Sequence, residues 1–318
     1  MQKINYPEFA DFFQSKIAPE VQFYEKYRIK ALKKTKLIKR IGFVLVVLFF
    51  VLFIFLAIKN IIITPHYIFF TIFIVFYVAK IPIYAYRKKI KEIFYQKIFN
   101  LLGLKYTNRY DIKRDIKKQI SQVCYKTGIY DRYDNIAIDD VILGDYNGLP
   151  FSISDVKISY ETGSSKNKHT VVVLNGLFMA IKIKKPYRGE TIVKTDDYMQ
   201  PRKIKSKEKV KLEDIEFEKF FEVYGSDQVE SRYILTPAFM SRLVDYRKQK
   251  NCDIEIVFSE KTGLDKNLFF FVHTGKDHFE LPIDVSLLNQ DLLYSLIKEI
   301  TDILDIVDAL KLDQNIGL

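Results

Sequence analysis

The sequence predicts an α+β protein: a two-helix transmembrane hairpin, then a mainly antiparallel sheet domain closed by a long C-terminal helix. Three observations predict it. An apolar block runs from Ile41 to Tyr86, broken only by a short polar stretch. Short segments rich in Val, Ile and Phe, separated by turn residues, begin near Ile136. From about Ser286 to Leu310 the apolar residues recur with helical period. Together they give four segments: helical and basic over 1–40, the hairpin over 41–86, a basic helical stalk over 87–135, and the α+β domain over 136–318.

In the first segment Phe9, Phe12, Phe13 and Ile17 form an apolar stripe, and Pro19 is expected to interrupt it. The stripe reads either as an interfacial or partner-binding face or as a helix packed on the protein's own domain. A second, increasingly basic helix runs from Glu20 into the apolar block.

The first span, Ile41–Ile58, is eighteen residues without a charge. At about 1.5 Å per residue it covers roughly 27 Å, close to the hydrocarbon thickness of a bilayer. Lys59 and Asn60 end it, and Thr64-Pro65 reads as a cap with proline at the first helical position of the second span, about 65–86. Lys80 can snorkel, Pro82 is tolerated near the end, and Tyr67, Tyr84 and Tyr86 suit the interfaces. His66 lies close enough to the turn to be interfacial. Lysines and arginines crowd the outer flanks, from Lys26 and Arg28 to Arg40 and from Arg87 to Lys97, whereas the connection carries only Lys59. This places both termini in the cytoplasm. With a Trp-free composition rich in Lys, Ile, Tyr and Phe that suits an AT-rich bacterial genome, the expected location is the bacterial inner membrane as a multi-pass protein.

Charge is uneven. Residues 211–318 hold 12 Lys and Arg against 21 Asp and Glu, a balance of −9 within a chain of net +11. The basic residues beside the spans, Lys33, Lys34, Lys36, Lys39, Arg40, Arg87, Lys88 and Lys89, are expected to contact lipid headgroups, since an anionic leaflet attracts each by about 1 kcal/mol. Nucleic acid is not expected as a partner, because no groove-reading signature accompanies the basic run.

After the second span, helix continues through Ile90, Ile93, Phe94 and Ile98 to a stop at Gly103, and a basic amphipathic helix covers about Tyr110 to Tyr125, ending before Gly128. Strands follow: Ile136 to Ile142, Leu149 to Tyr160, Thr170 to Ile183 beyond a Gly163–Lys168 turn, and Thr191 to Val193. Asp196 to Lys209 reads as a loop. Leu212 to Val223 reads as a helix or short strand, and Thr236-Pro237 starts a helix over Pro237–Lys250. Asp253–Ser259 alternates as a half-buried strand; Leu268–His273 and His278–Ile283 read as strands around a turn.

No phosphate loop, dinucleotide fingerprint or HExxH is present, no Cys/His cluster surrounds Cys124 or Cys252, and neither a cofactor nor a metal is expected. His273 and His278 bracket a turn and could meet across a hairpin, but no third ligand accompanies them. Asp139, Asp140 and Asp145 could serve as acid–base carboxylates. Neighbouring strand residues point to opposite faces, so Asp139 and Asp140 meet one substrate only if a bulge intervenes.

The run Asp214–Met240, which contains Phe221-Glu-Val-Tyr-Gly and Leu235-Thr-Pro-Ala-Phe-Met, resembles an uncharacterised family of bacterial membrane proteins, a family built on a domain of unknown function. Leu174-Asn-Gly-Leu-Phe and Tyr187-Arg-Gly-Glu-Thr resemble its other motifs, and the similarity extends from about Asp139 to Ile283. The resemblance implies two spans followed by this domain, no known activity and no catalytic residues. It also hints at LemA-like membrane proteins as partners. The short basic loop in its middle departs from the family. Read physically, Gly225 serves a turn with positive φ, and Phe217, Phe220, Phe221 and Phe239 are core.

The function these readings support is a membrane-anchored cytoplasmic interaction or scaffold protein rather than an enzyme. A membrane-bound enzyme using carboxylates of the 139–155 region is the alternative. A pore of oligomerised hairpins is a third reading, disfavoured because the spans hold few small residues, chiefly Gly42, Ala57, Thr71, Ala79 and Ala85.

Overall fold

The structure is a computed structural model and describes residues 6–59, 66–164, 167–183, 187–196, 204, 207–259 and 267–311. The Thr64-Pro65 cap lies outside the described residues, as do the side chains of Ala57, His66, Tyr67, Ile68 and Thr71. The chain divides into two compact units, one holding Ile4–Ile98 and Leu281–Ser295, the other Phe99–Glu280 and Leu296–Leu318.

The first unit is helical. Helix α1 (Tyr6–Phe12), a π-helical turn (Phe13–Ile17) and α2 (Ala18–Ile58) form one continuous run. Pro19 does not interrupt it. The Ala18 N–H bonds back to the Phe13 carbonyl, five residues earlier, so the widened turn resets the bonding just before the proline. Pro19 then sits in the first turn of α2, where a missing N–H and a fixed φ are tolerated. Phe9, Phe13 and Ile17 are buried. The Phe9 ring lies 5.4 Å from Tyr294, and Tyr24 lies 5.4 Å from Phe94. Of the two readings of the stripe, packing on the protein's own chain is the one realised.

Beyond Arg40 the character of α2 inverts. Among its described side chains from Ile41 to Ile58, only Gly42 is buried, and the large apolar residues face outward. Tyr6–Leu56 contains a stretch long and apolar enough to cross a membrane. Helix α3 (His66–Lys89) also turns Phe69, Phe70, Phe73 and Phe76 outward and contains Pro82 without breaking. A Cβ on Gly42 would fall 2.1 Å from a Val75 methyl, so glycine permits the close approach of α2 and α3. A second π turn (Ile90–Tyr95) leads into α4 (Gln96–Leu101).

The second unit is built on a nine-stranded sheet. Its elements are β1 (Lys105–Thr107), α5 (Tyr110–Thr127), β2 (Asn135–Tyr146), β3 (Leu149–Ser164), β4 (Asn167–Lys182), β5 (Glu190–Thr195), β6 (Glu208–Lys209), α6 (Ile215–Glu218), β7 (Phe221–Gly225), α7 (Gln228–Ile234), α8 (Pro237–Lys250), β8 (Asp253–Ser259) and β9 (Asn267–His273). Helix α9 (Gln290–Ala309) joins it from Leu296 onward. The strand order is β1-β2-β3-β4-β9-β8-β5-β7-β6, with every neighbouring pair antiparallel. The protein is therefore α+β, with a long N-terminal helix, an antiparallel sheet and a C-terminal helix.

Local signals account for many boundaries. Thr236 Oγ1 accepts the Phe239 N–H at the start of α8, with Pro237 behind it. Gly128, at φ +68°, ends α5, whose Ile116, Ile120, Val123 and Cys124 enter the core under β2, β3 and β4. Asn147 and Gly148, both at positive φ, make the two-residue β2–β3 turn, a pattern that matches the strand twist.

Two expectations are corrected. Strand β8 is not half-buried: every residue after Asp253 is buried. Val257 joins the core cluster with Phe178, Phe269 and Phe271, while Phe258 packs 6.0 Å from Phe239 of α8 on the opposite side. Both faces are covered, so the Ile254/Ile256/Phe258 alternation says nothing of solvent. His278–Ile283 is not a strand. Strand β9 already pairs with β4 on one side and β8 on the other, so a returning strand has no free edge, and Phe279 adopts φ +55°.

Candidate functional site

Two groups of side chains are candidates for function, one in each unit. The first is the basic flank of the helical unit. Lys33, Lys34, Lys36, Lys39 and Arg40 are exposed on α2, and Arg87 and Lys88 on α3. Lys89 is half-buried, with its ammonium 3.7 Å from the centre of the Tyr27 ring. Lys34 and Lys89 line one crevice together with Lys30, which sequence reasoning placed in the flank without singling it out. The signal was there in the i, i+4 spacing of Lys30 and Lys34 on one helix face.

Arg28 leaves this flank. Its guanidinium is buried and donates to both oxygens of Glu25 at 2.6–2.9 Å, and to the Ile283 carbonyl at 2.8 Å. Glu25 also accepts the Leu287 N–H at 3.0 Å. Burial acts against its ionisation, but Arg28 and that N–H outweigh it and hold the carboxyl below its ordinary value. The pair is a structural clasp inside the unit and contributes no surface charge.

The second group is acidic and lies on the sheet unit. The β2–β3 register shifts between Ile138 and Val141, so β2 carries one extra residue there. That bulge removes the geometric objection to Asp139 and Asp140 acting together: one carboxylate oxygen of each, and one of Glu280, lie within 4.8 Å of one another. Asp140 is fully buried and accepts the Tyr106 hydroxyl at 2.5 Å. Asp139 is exposed, with Lys113 at 3.6 Å. Asp145 is elsewhere, accepting the Gly148 N–H within the β2–β3 turn at 2.8 Å.

Asp155 accepts the His278 N–H at 2.8 Å. Burial pushes its carboxyl up to about 6, with Asp277 and Asp139 adding to the rise and His278 opposing it. His278 is itself buried, bonded to Thr274 Oγ1 at 2.6 Å and 3.6 Å from Glu299. Glu299 also accepts the Phe279 N–H and lies 3.2 Å from Lys276. Burial works against its ionisation, but these partners prevail and hold its carboxyl at about 2. The turn after β9 is thus tied to α9. His273 lies 3.3 Å from buried Glu255, which accepts the Tyr130 hydroxyl at 2.5 Å. The two histidines that bracket the turn thus have separate partners.

Three of the residues that carry the family resemblance, Tyr187, Glu190 and Gly225, have structural surroundings. Tyr187 OH donates to the Ser259 carbonyl and accepts its N–H, both at 3.1 Å. Glu190 is buried against Lys207 and accepts Ser259 Oγ at 3.1 Å. Gly225 is not needed for a positive φ, contrary to expectation; a Cβ there would lie 2.2 Å from Ser231 Oγ. Gly225→Ala is expected to destabilise the sheet unit by about 1–3 kcal/mol through overpacking. Adding Ser231→Ala, which removes the obstructing oxygen, should recover part of that loss in thermal melts; no recovery would show that the clash is not the cause.

Residues 172–312 match the family model described as "Protein of unknown function (DUF3137)", in agreement with the resemblance to an uncharacterised family. No curated protein matches the chain. A solved structure, the crystal structure of the mycobacterial trehalose monomycolate transport factor A, TtfA, is similar at 11% identity, covering 66% of this chain and 90% of that one, with a TM-score of 0.33.

Proposed function

We propose that this chain, whose residues 172–312 carry the match to a family of unknown function, is a membrane-anchored scaffold that tethers its sheet domain on the cytoplasmic side of a bacterial inner membrane. The observation that carries the reading is the inversion of α2: a buried apolar stripe up to Ala31, then outward-facing apolar residues from Ile41, with lysines between. Such a surface is stable in lipid and not in water. Helix α3 returns through the bilayer as a second span, with Arg87, Lys88 and Lys89 emerging on the side of Lys33, Lys34, Lys36, Lys39 and Arg40. The pore reading weakens further, since Gly42 and Ala79 are already buried inside the unit.

The test is twofold. The full chain should stay in the membrane fraction after alkaline carbonate washing, and a reporter fused after Leu318 should be active only if it works in the cytoplasm. Release by carbonate, or a reporter active only outside, would end this reading. Affinity purification from membranes would then identify what the domain recruits.

A second reading has its own support in the bulge that gathers Asp139, Asp140 and Glu280. Three carboxylates so placed offer oxygen ligands of the kind a hard cation takes. Asp139→Asn with Glu280→Gln spares the buried Asp140–Tyr106 bond. If that pair leaves folding intact yet abolishes the cellular phenotype, the enzyme reading displaces the scaffold.

A further inference from the structure

The basic flank is not uniform. Tyr27, Lys30, Ala31 and Lys34 of α2 and Ile81, Pro82, Ala85, Tyr86 and Lys89 of α3 enclose an open crevice of about 360 Å³. Lys30 and Lys34 stand one helical turn apart on one wall, a like-charge spacing that a helix disfavours unless an anion compensates. Lys89 closes the other side, braced on the Tyr27 ring. None of the three makes an ion pair with a described carboxylate, whereas neighbouring Lys88 reaches Glu92 and Lys97 reaches Glu20. Buried Tyr86 lines the same crevice, and its hydroxyl has no hydrogen-bond partner among the described residues. Ala31, Ile81, Pro82 and Ala85 form the rest of the lining.

The height of the crevice is also telling. Lys34 lies seven residues before Ile41, which is about 10 Å along a helix, at the outer edge of a headgroup layer that extends roughly 5–8 Å beyond the hydrocarbon. Three lysines lining one crevice without an ion-pair partner among the described residues, against an apolar wall continuous with the span, match an amphiphile with an anionic head. We propose that this crevice is a discrete site for one anionic phospholipid, its phosphate held by Lys30, Lys34 and Lys89 and its glycerol and first methylenes against Pro82 and Ile81. The inference rests on the membrane-anchor reading and goes beyond it: the other lysines and arginines of the flank meet the leaflet diffusely, and this site selects a single molecule.

The experiment is lipid retention by the full chain purified in mild detergent, read by native mass spectrometry after exposure to phosphatidylglycerol or phosphatidylcholine. The wild-type chain should retain one phosphatidylglycerol and no phosphatidylcholine. The crevice variant Lys30→Gln/Lys34→Gln/Lys89→Gln should lose retention at least tenfold. The matched variant Lys33→Gln/Lys36→Gln/Lys88→Gln removes equal charge outside the crevice and should retain the lipid, with equal circular dichroism confirming that both fold. Equal loss in the two variants would show diffuse attraction and overturn the site, as would undiminished retention by the crevice variant. Displacement by millimolar inorganic phosphate would identify a free-phosphate site and overturn the lipid assignment. Failure of the anchor reading itself would appear separately, as release of the chain by carbonate.

Discussion

Lys207→Met is expected to destabilise the sheet unit by about 3–5 kcal/mol, the usual consequence of removing one partner of a buried ion pair. Lys207 and Glu190 face each other with only 6% of either side chain exposed. Glu190 is further fixed by Ser259 Oγ, and its own N–H donates to Ser226 Oγ at 2.9 Å. Without the ammonium, a carboxylate stays in a site that water does not reach, and the hydroxyl of Ser259 alone does not replace its solvation. The loss should show as a fall in melting temperature on the order of 10 °C. Lys207→Met/Glu190→Gln removes both charges and should be clearly more stable than Lys207→Met alone. A double variant as unstable as the single one would mean that packing, and not the orphaned charge, sets the loss. The pair ties the Tyr187–Thr191 segment to the stretch before β6, and nothing about the two sequence positions announces that they meet.

The second large effect is a pH dependence centred on Asp155→Asn. The folded carboxyl of Asp155 is raised to about 6 from an ordinary 3.8, so its ionised form is disfavoured in the native protein. Its contribution is therefore most favourable below about pH 4 and is lost as pH rises through about 6. Glu299 has the opposite sign: held at about 2 against an ordinary 4.5, it contributes stability above about pH 4.5 that is lost as pH falls toward 2. Between them, these two groups favour the folded state most near pH 4 to 4.5. Asparagine at 155 keeps an acceptor for the His278 N–H and carries no charge. Asp155→Asn is thus expected to raise stability at pH 7 by on the order of 2 kcal/mol, after allowing for solvent screening, and to leave it unchanged at pH 4. Urea unfolding at the two pH values reads both quantities. A variant less stable than wild type at pH 7 would show that the native state needs the ionised carboxyl.

The acidic group on the sheet shows how chemistry hides from a linear reading. Asp139 and Asp140 are adjacent, and in a regular strand they point apart. One inserted residue in β2 brings them within reach of Glu280, about 140 positions later. A bulge is set by how β2 and β3 pair, and pairing is a property of both strands. The same holds for Arg28, which reads as one more charge in a basic run and proves to be half of a buried clasp whose other contacts come from Ile283 and Leu287. It holds again for the crevice, which needs α2 and α3 side by side before Lys30, Lys34 and Lys89 converge.

The sequence by itself determined those features whose causes act within a turn of helix or a run of a few residues. The uncharged stretch Ile41–Ile58, the Thr236-Pro237 start of α8, the Gly128 end of α5 and the extent of β8 are all of this kind, and all are observed. Only the tertiary structure decided what depends on partners far along the chain. It made Pro19 compatible with a continuous helix by widening the turn before it, and gave both edges of β9 to β4 and β8 so that His278–Ile283 had no strand to join. It also buried both faces of β8 and placed Ser231 where only a glycine at 225 leaves room. The physical reason is one of range. Helix periodicity, capping and apolar length are settled by near neighbours, whereas free sheet edges, covered faces and counter-charges exist only once distant segments have packed.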